Sequence, residues 1–138
     1  MAGLLVAVTQ VEDEQGDENE NYKGHAADGR VVLANAGHIP PYLDGRELAL
    51  ENGLPLGISP HSAYAEAEIQ ATSALTFLSD GVVEARDARG ELLGFERMAA
   101  LTTKPAAEIA DAAQRWGQED DITVLTVARA PKLEAIPA

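Results

Sequence analysis

Apolar and polar residues fall into short blocks along this chain, of strand length up to residue 80 and of helix length between 94 and 116. GLLVAVTQV (3–11) is a Val-rich run that reads as a strand. Arg30 to Ala34 (RVVLA) reads as a second. Tyr42-Leu43 and Arg46 to Leu50 flank Asp44-Gly45, the pattern of a β-hairpin closed by a two-residue turn. GLPLGISP (53–60), with two prolines and two glycines, predicts a shaped loop. Tyr64 to Gln70 alternates as an exposed strand does, and Leu75 to Ser79 reads as a buried strand that stops at Asp80-Gly81, where a helix-like pattern begins. Two longer helices are expected, over about 94–101 and from Pro105 to about Trp116, the second with proline in its first turn and Gly117 at its end. The last strand is Ile122 to Ala128. Strands followed by late helices predict an α+β fold, an antiparallel sheet with helices packed on one face.

Composition narrows the function classes. The 138 residues suit one domain with a single core. With 23 acidic and 10 basic side chains the net charge is −13, a surface that repels phosphate backbones and anionic lipids. Neither nucleic-acid binding nor membrane insertion is expected, and no run approaches the roughly 20 apolar residues of a membrane helix. Six of the acids crowd between Glu12 and Glu20 without a base, so residues 12–29 read as a solvated acidic hairpin loop. The tail, 130–138, reads as frayed. There is no cysteine, which removes disulfides, thiol nucleophiles and Cys-zinc sites together. A reducing compartment fits that usage, the first residues do not read as a signal peptide, and a cytoplasmic location is expected.

The residues most able to carry chemistry are two acidic strand ends. Asp80 follows one apolar strand, and Asp120-Asp121 precede another. If those strands are antiparallel neighbours, the carboxylates converge at one rim, where like charges are costly unless a cation lies between them. Carboxylates and waters suit Mg²⁺ or Mn²⁺, and Gly81 would let a bound water or substrate approach the backbone. Asp-Gly is also a common turn dipeptide, and the acids before the last strand could be mere loop. Asn35-Ala36-Gly37-His38 could present further polar groups to the same place. His25 and His61 form no ligand spacing with His38, so a zinc site is not expected. Ser59 and Ser62 beside His61 lack a G-x-S-x-G elbow, and no G-x-x-x-x-G-K-[ST] phosphate loop is present.

Four stretches taken together carry more. ANAGH (34–38), GLPLG (53–57), LSDGVVEARDARGELLGFER (78–97) and GQEDDITVLTV (117–127) occur in this order. In that order they resemble the SpoIIE-type branch of the PPM metal-dependent protein serine/threonine phosphatases, over roughly residues 30–129. The resemblance implies an antiparallel β-sandwich with helices packed outside and two Mn²⁺ or Mg²⁺ ions at one end of the sheets. It implies Asp80 and Asp120 as metal ligands, Asp121 as a supporting residue and His38 close to the centre, beside the supporting Gly81 and Asn35 that the residue pattern itself suggests. The implied reaction is attack of metal-bound water on a phosphoserine or phosphothreonine of a regulatory protein, in partner-switching signalling. The implied partner is a STAS-type anti-sigma-factor antagonist.

The pattern departs from that family at one point. The Asp-x-Ser-Gly motif of its N-terminal half is nowhere in these 138 residues. Residues 1–129 are therefore expected to be a partial phosphatase domain, lacking its N-terminal part and prone to self-association through an uncovered apolar face. The alternative is a catalytically incomplete fragment that acts as a protein-interaction module.

Overall fold

The computed structural model describes residues 30–71 and 73–128. The strand expected over 3–11, the acidic loop 12–29 and the tail 130–138 lie outside them.

The described chain is α+β and has three layers. The strands are β1 (Arg30–Ala34), β2 (Tyr42–Leu43), β3 (Arg46–Glu47), β4 (Glu66–Gln70), β5 (Leu75–Leu78) and β6 (Val124–Val127). The helices are a single turn, α1 (Asp80–Val83), then α2 (Gly94–Leu101) and α3 (Ala106–Gly117). β1 and β4 form a two-stranded antiparallel sheet; β3-β2-β5-β6 form a four-stranded one, also antiparallel. β2 and β3 are joined by Asp44-Gly45 at φ 53° and 76°, the left-handed pair that a type I′ hairpin turn requires.

β5 explains the layering. All four of its residues are buried, and side chains alternate across a strand. Leu75 and Phe77 pack with Leu33 of β1 and with Ile69 of β4, so one face meets the small sheet. Leu78 packs with Val82, Met98, Ile109 and Ala113, so the other face meets the helices. Thr76 lies on that second face, and its hydroxyl donates to the Thr102 carbonyl at 3.3 Å, tying the sheet to the end of α2. Fully burying one leucine of this kind contributes about 2 kcal/mol.

α3 is amphipathic: Ile109, Ala113 and Trp116, at spacings of four and three, face the core. Pro105 stands just before its first residue and accepts from the Ile109 amide at 3.1 Å. Three expected strands are shorter in the structure. The arm expected over 46–50 is strand only at Arg46-Glu47: Leu48 N–H still donates to the Pro41 carbonyl, but proline has no N–H to return, and the Leu48 and Leu50 side chains pack on the Leu33–Leu75–Phe77 core. Tyr64-Ala65 precede β4, the Tyr64 ring lying against Gly53. Ile122-Thr123 precede β6, with Ile122 packed on the helix-side core.

Candidate functional site

The rim at the end of β5 is built by a single hydroxyl. β5 and β6 pair antiparallel with Leu78 opposite Val124, so the residues after Leu78 run alongside those before Val124. Ser79 fixes that approach. Its N–H donates to the Thr123 carbonyl at 2.9 Å, its hydroxyl accepts from Thr123 N–H at 2.9 Å, and the same hydroxyl donates to the Asp121 carbonyl at 3.3 Å. The chain then turns into α1, closed by bonds from Val82 N–H to the Ser79 carbonyl at 3.2 Å and from Glu84 N–H to the Asp80 carbonyl at 2.9 Å. Ser79 stands at the N-cap without a side-chain cap bond, its hydroxyl being spent on Thr123 and Asp121, and Asp80 as the first helical residue lies at the lip instead of in a simple turn.

Gly81 lets the two acidic segments touch. A Cβ there would lie 2.2 Å from the Asp121 carbonyl oxygen and 3.5 Å from that of Asp120. No side chain fits, so the backbone of α1 lies directly on the Asp120-Asp121 peptide. Asp80, Asp120 and Asp121 are all exposed. Asp120 accepts from the Asp121 amide at 2.7 Å, while no protein donor engages the carboxylates of Asp80 or Asp121 among the described residues. Beside this rim runs a small cleft of about 250 Å³, lined by Gly81, Glu84, Arg86, Leu92, Glu119 and Asp120.

The corner after β1 is constructed differently. Asn35 is buried, its amide donating to the His38 carbonyl at 2.8 Å and accepting from the His38 amide at 2.9 Å. Gly37 sits at φ 81°, against the Pro55 ring, and its N–H donates to the Asn52 side chain at 3.1 Å. Gly53 N–H donates to the Asn35 carbonyl at 2.8 Å. ANAGH and GLPLG are thus each other's packing. The His38 ring meets the Ile39 carbonyl at 2.9 Å. No hydrogen bond or ion pair links Asn35 or His38 to Asp80 or Asp120 among the described residues.

The family model described as Stage II sporulation protein E (SpoIIE) matches residues 23–130. The chain belongs to the SpoIIE family. Among solved structures, this SpoIIE-family chain is similar to the RsbU and RsbW domains of Rv1364c from Mycobacterium tuberculosis, with 22% identity and a TM-score of 0.54. The match covers 77% of this chain and 34% of that one, so the likeness concerns the fold and about a third of the other chain's length. No individually curated protein matches.

SpoIIE membership raises the question of metal. The rim offers hard oxygen donors of the type Mn²⁺ and Mg²⁺ prefer. Yet among the described residues no three His, Asp or Glu side chains gather into a group that could hold an ion. The residues present therefore fit part of a cation shell and do not by themselves fit two cations. Two residues of the rim escape a reading of the sequence. Ser79 looks like the last residue of a strand, and Arg86 like a helix-face arginine; only the pairing of distant segments reveals the clamp and the cleft.

Proposed function

We propose that this chain contributes to a PPM-type protein serine/threonine phosphatase domain acting in partner-switching signalling. The observation that carries the reading is the Ser79 clamp, which lays Asp80-Gly81 against Asp120-Asp121 at one sheet rim. In this reading Asp80 and Asp120 are ligands for Mn²⁺ or Mg²⁺, which in a complete site supplies charge neutralisation and an activated water. Gly81 and Asp121 hold the rim's backbone, while Asn35 and His38 shape the neighbouring corner. The substrate is a phosphoserine or phosphothreonine on a regulatory protein, of which a STAS-type anti-sigma-factor antagonist is the expected example. A cytoplasmic setting is part of the same proposal; among the described residues no helix is long and apolar enough to cross a membrane.

Two carboxylates hold one hydrated cation loosely, because Mg²⁺ gives up its waters reluctantly. The 138 residues alone should therefore hydrolyse p-nitrophenyl phosphate with Mn²⁺ far more slowly than a relative carrying the Asp-x-Ser-Gly motif, and Asp80→Asn should abolish what remains. Metal-dependent turnover indifferent to Asp80→Asn would remove this aspartate from the site.

A second reading, an interaction module, is favoured by the uncovered part of β6. Leu125 and Val127 are 56% and 37% exposed on a strand that ends its sheet. Weak binding of a single metal without turnover, together with self-association in sedimentation, would favour the module.

A further inference from the structure

The rim gathers negative charge, whereas the group a phosphatase must hold is itself an anion. The cleft beside the rim resolves this. Three of its lining residues are acids, Glu84, Glu119 and Asp120, and one is a base, Arg86. The other described cations are engaged elsewhere or lie outside the lining. Arg30 pairs with Glu68, Lys104 with Glu108 and Arg115 with Asp111. Arg97 pairs with Glu91 and stacks 4.7 Å above the Trp116 ring.

Arg86 is held by its backbone more than by its side chain. Its N–H donates to the Gly117 carbonyl at 2.8 Å, and it forms a bridge with Leu92 across the 87–91 turn. The guanidinium reaches the cleft with few obligations: Nε lies 3.4 Å from a Glu119 carboxylate oxygen, and Nη1 donates to the Gly90 carbonyl at 3.2 Å. A guanidinium carries five N–H donors, so several remain to offer. The Glu119 pair is about half-exposed, and such pairs contribute little. A doubly charged phosphoryl group presents more charge, in the planar two-point geometry arginine matches best. The cleft is smaller than the roughly 300–1,000 Å³ of drug-sized sites but holds several times the roughly 30 Å³ share of one water. That size suits a phosphoryl group with its waters.

We propose that Arg86 grips the phosphoryl group of the substrate in the cleft it shares with Gly81 and Asp120, with Glu119 as the internal anion that the phosphate displaces. This rests on the phosphatase reading of the rim. It assigns the phosphate-orienting role to a residue of α1's exit, fixed to the end of α3, and needs no contribution from the corner at Asn35.

Calorimetric titration of the 138-residue chain with inorganic phosphate, Mg²⁺ present, reads this contact without requiring turnover. Arg86→Gln should weaken binding roughly ten- to a hundredfold, as the loss of a charge-assisted two-point contact does. Arg86→Lys should fall between, keeping the charge and losing the fork. Glu119→Gln should bind phosphate as tightly as the wild type or more tightly, since a competing anion is gone. In the unmodified chain, the Arg86 side-chain Nε–H resonance should move with the same midpoint as the calorimetric curve. An unmoved resonance at saturating phosphate, equal affinity in Arg86→Gln, or a wild type that binds no phosphate each overturns the assignment. So does a Glu119→Gln loss as large as that of Arg86→Gln, which would make Arg86 only an anchor for Glu119. Phosphate held through Arg86 in a chain whose Mn²⁺ binding is indifferent to Asp80→Asn would leave the grip standing and sink the phosphatase reading of the rim. Hydrolysis abolished by Asp80→Asn and indifferent to Arg86→Gln would do the reverse.

Discussion

Two strands of this molecule end in a polar residue followed closely by glycine, and the two ends have opposite fates. After β1, Asn35 turns inward, and both ends of its amide are bonded to the His38 backbone. After β5, Ser79 is likewise used up, but the next residue, Asp80, keeps its carboxylate in solvent with no protein donor upon it among the described residues. Each glycine admits a close approach: Gly37 meets the Pro55 ring, and Gly81 meets the Asp121 carbonyl. A buried polar group with every bond satisfied holds a fold together. At the rim the backbone of Gly81 lies on the Asp120-Asp121 segment, and the exposed carboxylates of Asp80 and Asp121 make no bond that serves the fold among the described residues. The corner is built as scaffold, and the proposed site lies at the rim.

The sharpest way to break this contrast is to add one methyl group at the rim. In Gly81→Ala the new Cβ would lie 2.2 Å from a backbone oxygen, and no flexible side chain can move aside. α1 must lift from the Asp120-Asp121 peptide, and overpacking of this kind costs about 2–3 kcal/mol. We expect a lowered urea midpoint together with loss of metal and phosphate binding. Unchanged stability would mean that the two segments are not pressed together as described.

A crossed pair of substitutions comes next. Asn35→Ala should cost about 2 kcal/mol, because it strands the His38 amide and carbonyl in a buried corner. Asp80→Asn, at an exposed position, should change stability by less than about 0.5 kcal/mol. Metal binding should respond in the opposite order, barely to Asn35→Ala in the fraction that remains folded and strongly to Asp80→Asn. Denaturant unfolding and Mn²⁺ titration on both variants test this, and a shared pattern would erase the distinction between scaffold and site.

The same contrast marks what could be read from residues alone. β1 and α2 have the expected bounds, since RVVLA and GFERMAAL carry their periodicity within themselves. The antiparallel pairing of β5 with β6 follows from two apolar runs, each with acids at the end that meets the other. Leu48 to Leu50 read as strand because alternation looks the same whether a segment pairs or only drops its leucines onto a core. Asp80 and Asp120 were legible as candidates because carboxylates beside strands are conspicuous. Ser79 and Arg86 were not, because their importance comes from Thr123, Gly117 and Glu119, more than 30 residues away in sequence. Secondary structure is written locally, while a site is written in the register between distant segments.

The smallest expected effect sharpens the comparison from the scaffold side. Tyr42 is buried at the start of β2, and its hydroxyl donates to a Glu47 carboxylate oxygen at 3.2 Å across the hairpin. Burial first, then the negative charge of Glu47 and the hydrogen bond to it, push the phenol up from 10.0 to about 12. The raised value means that the folded protein holds its proton where the unfolded chain has begun to release it. The associated stability is therefore complete below pH 10 and is lost as the pH climbs from 10 towards 12, the unfolded state binding fewer protons across that window. Denaturant unfolding between pH 9 and pH 12 should show this decline, and Tyr42→Phe, which cannot ionise, should flatten it. Phosphate affinity at neutral pH should not change in Tyr42→Phe, because a satisfied group in the core has no charge to lend the rim. A Tyr42→Phe variant that keeps the full alkaline decline would show that the phenol is not the group being titrated, and one that loses phosphate binding would show that hairpin and rim are coupled.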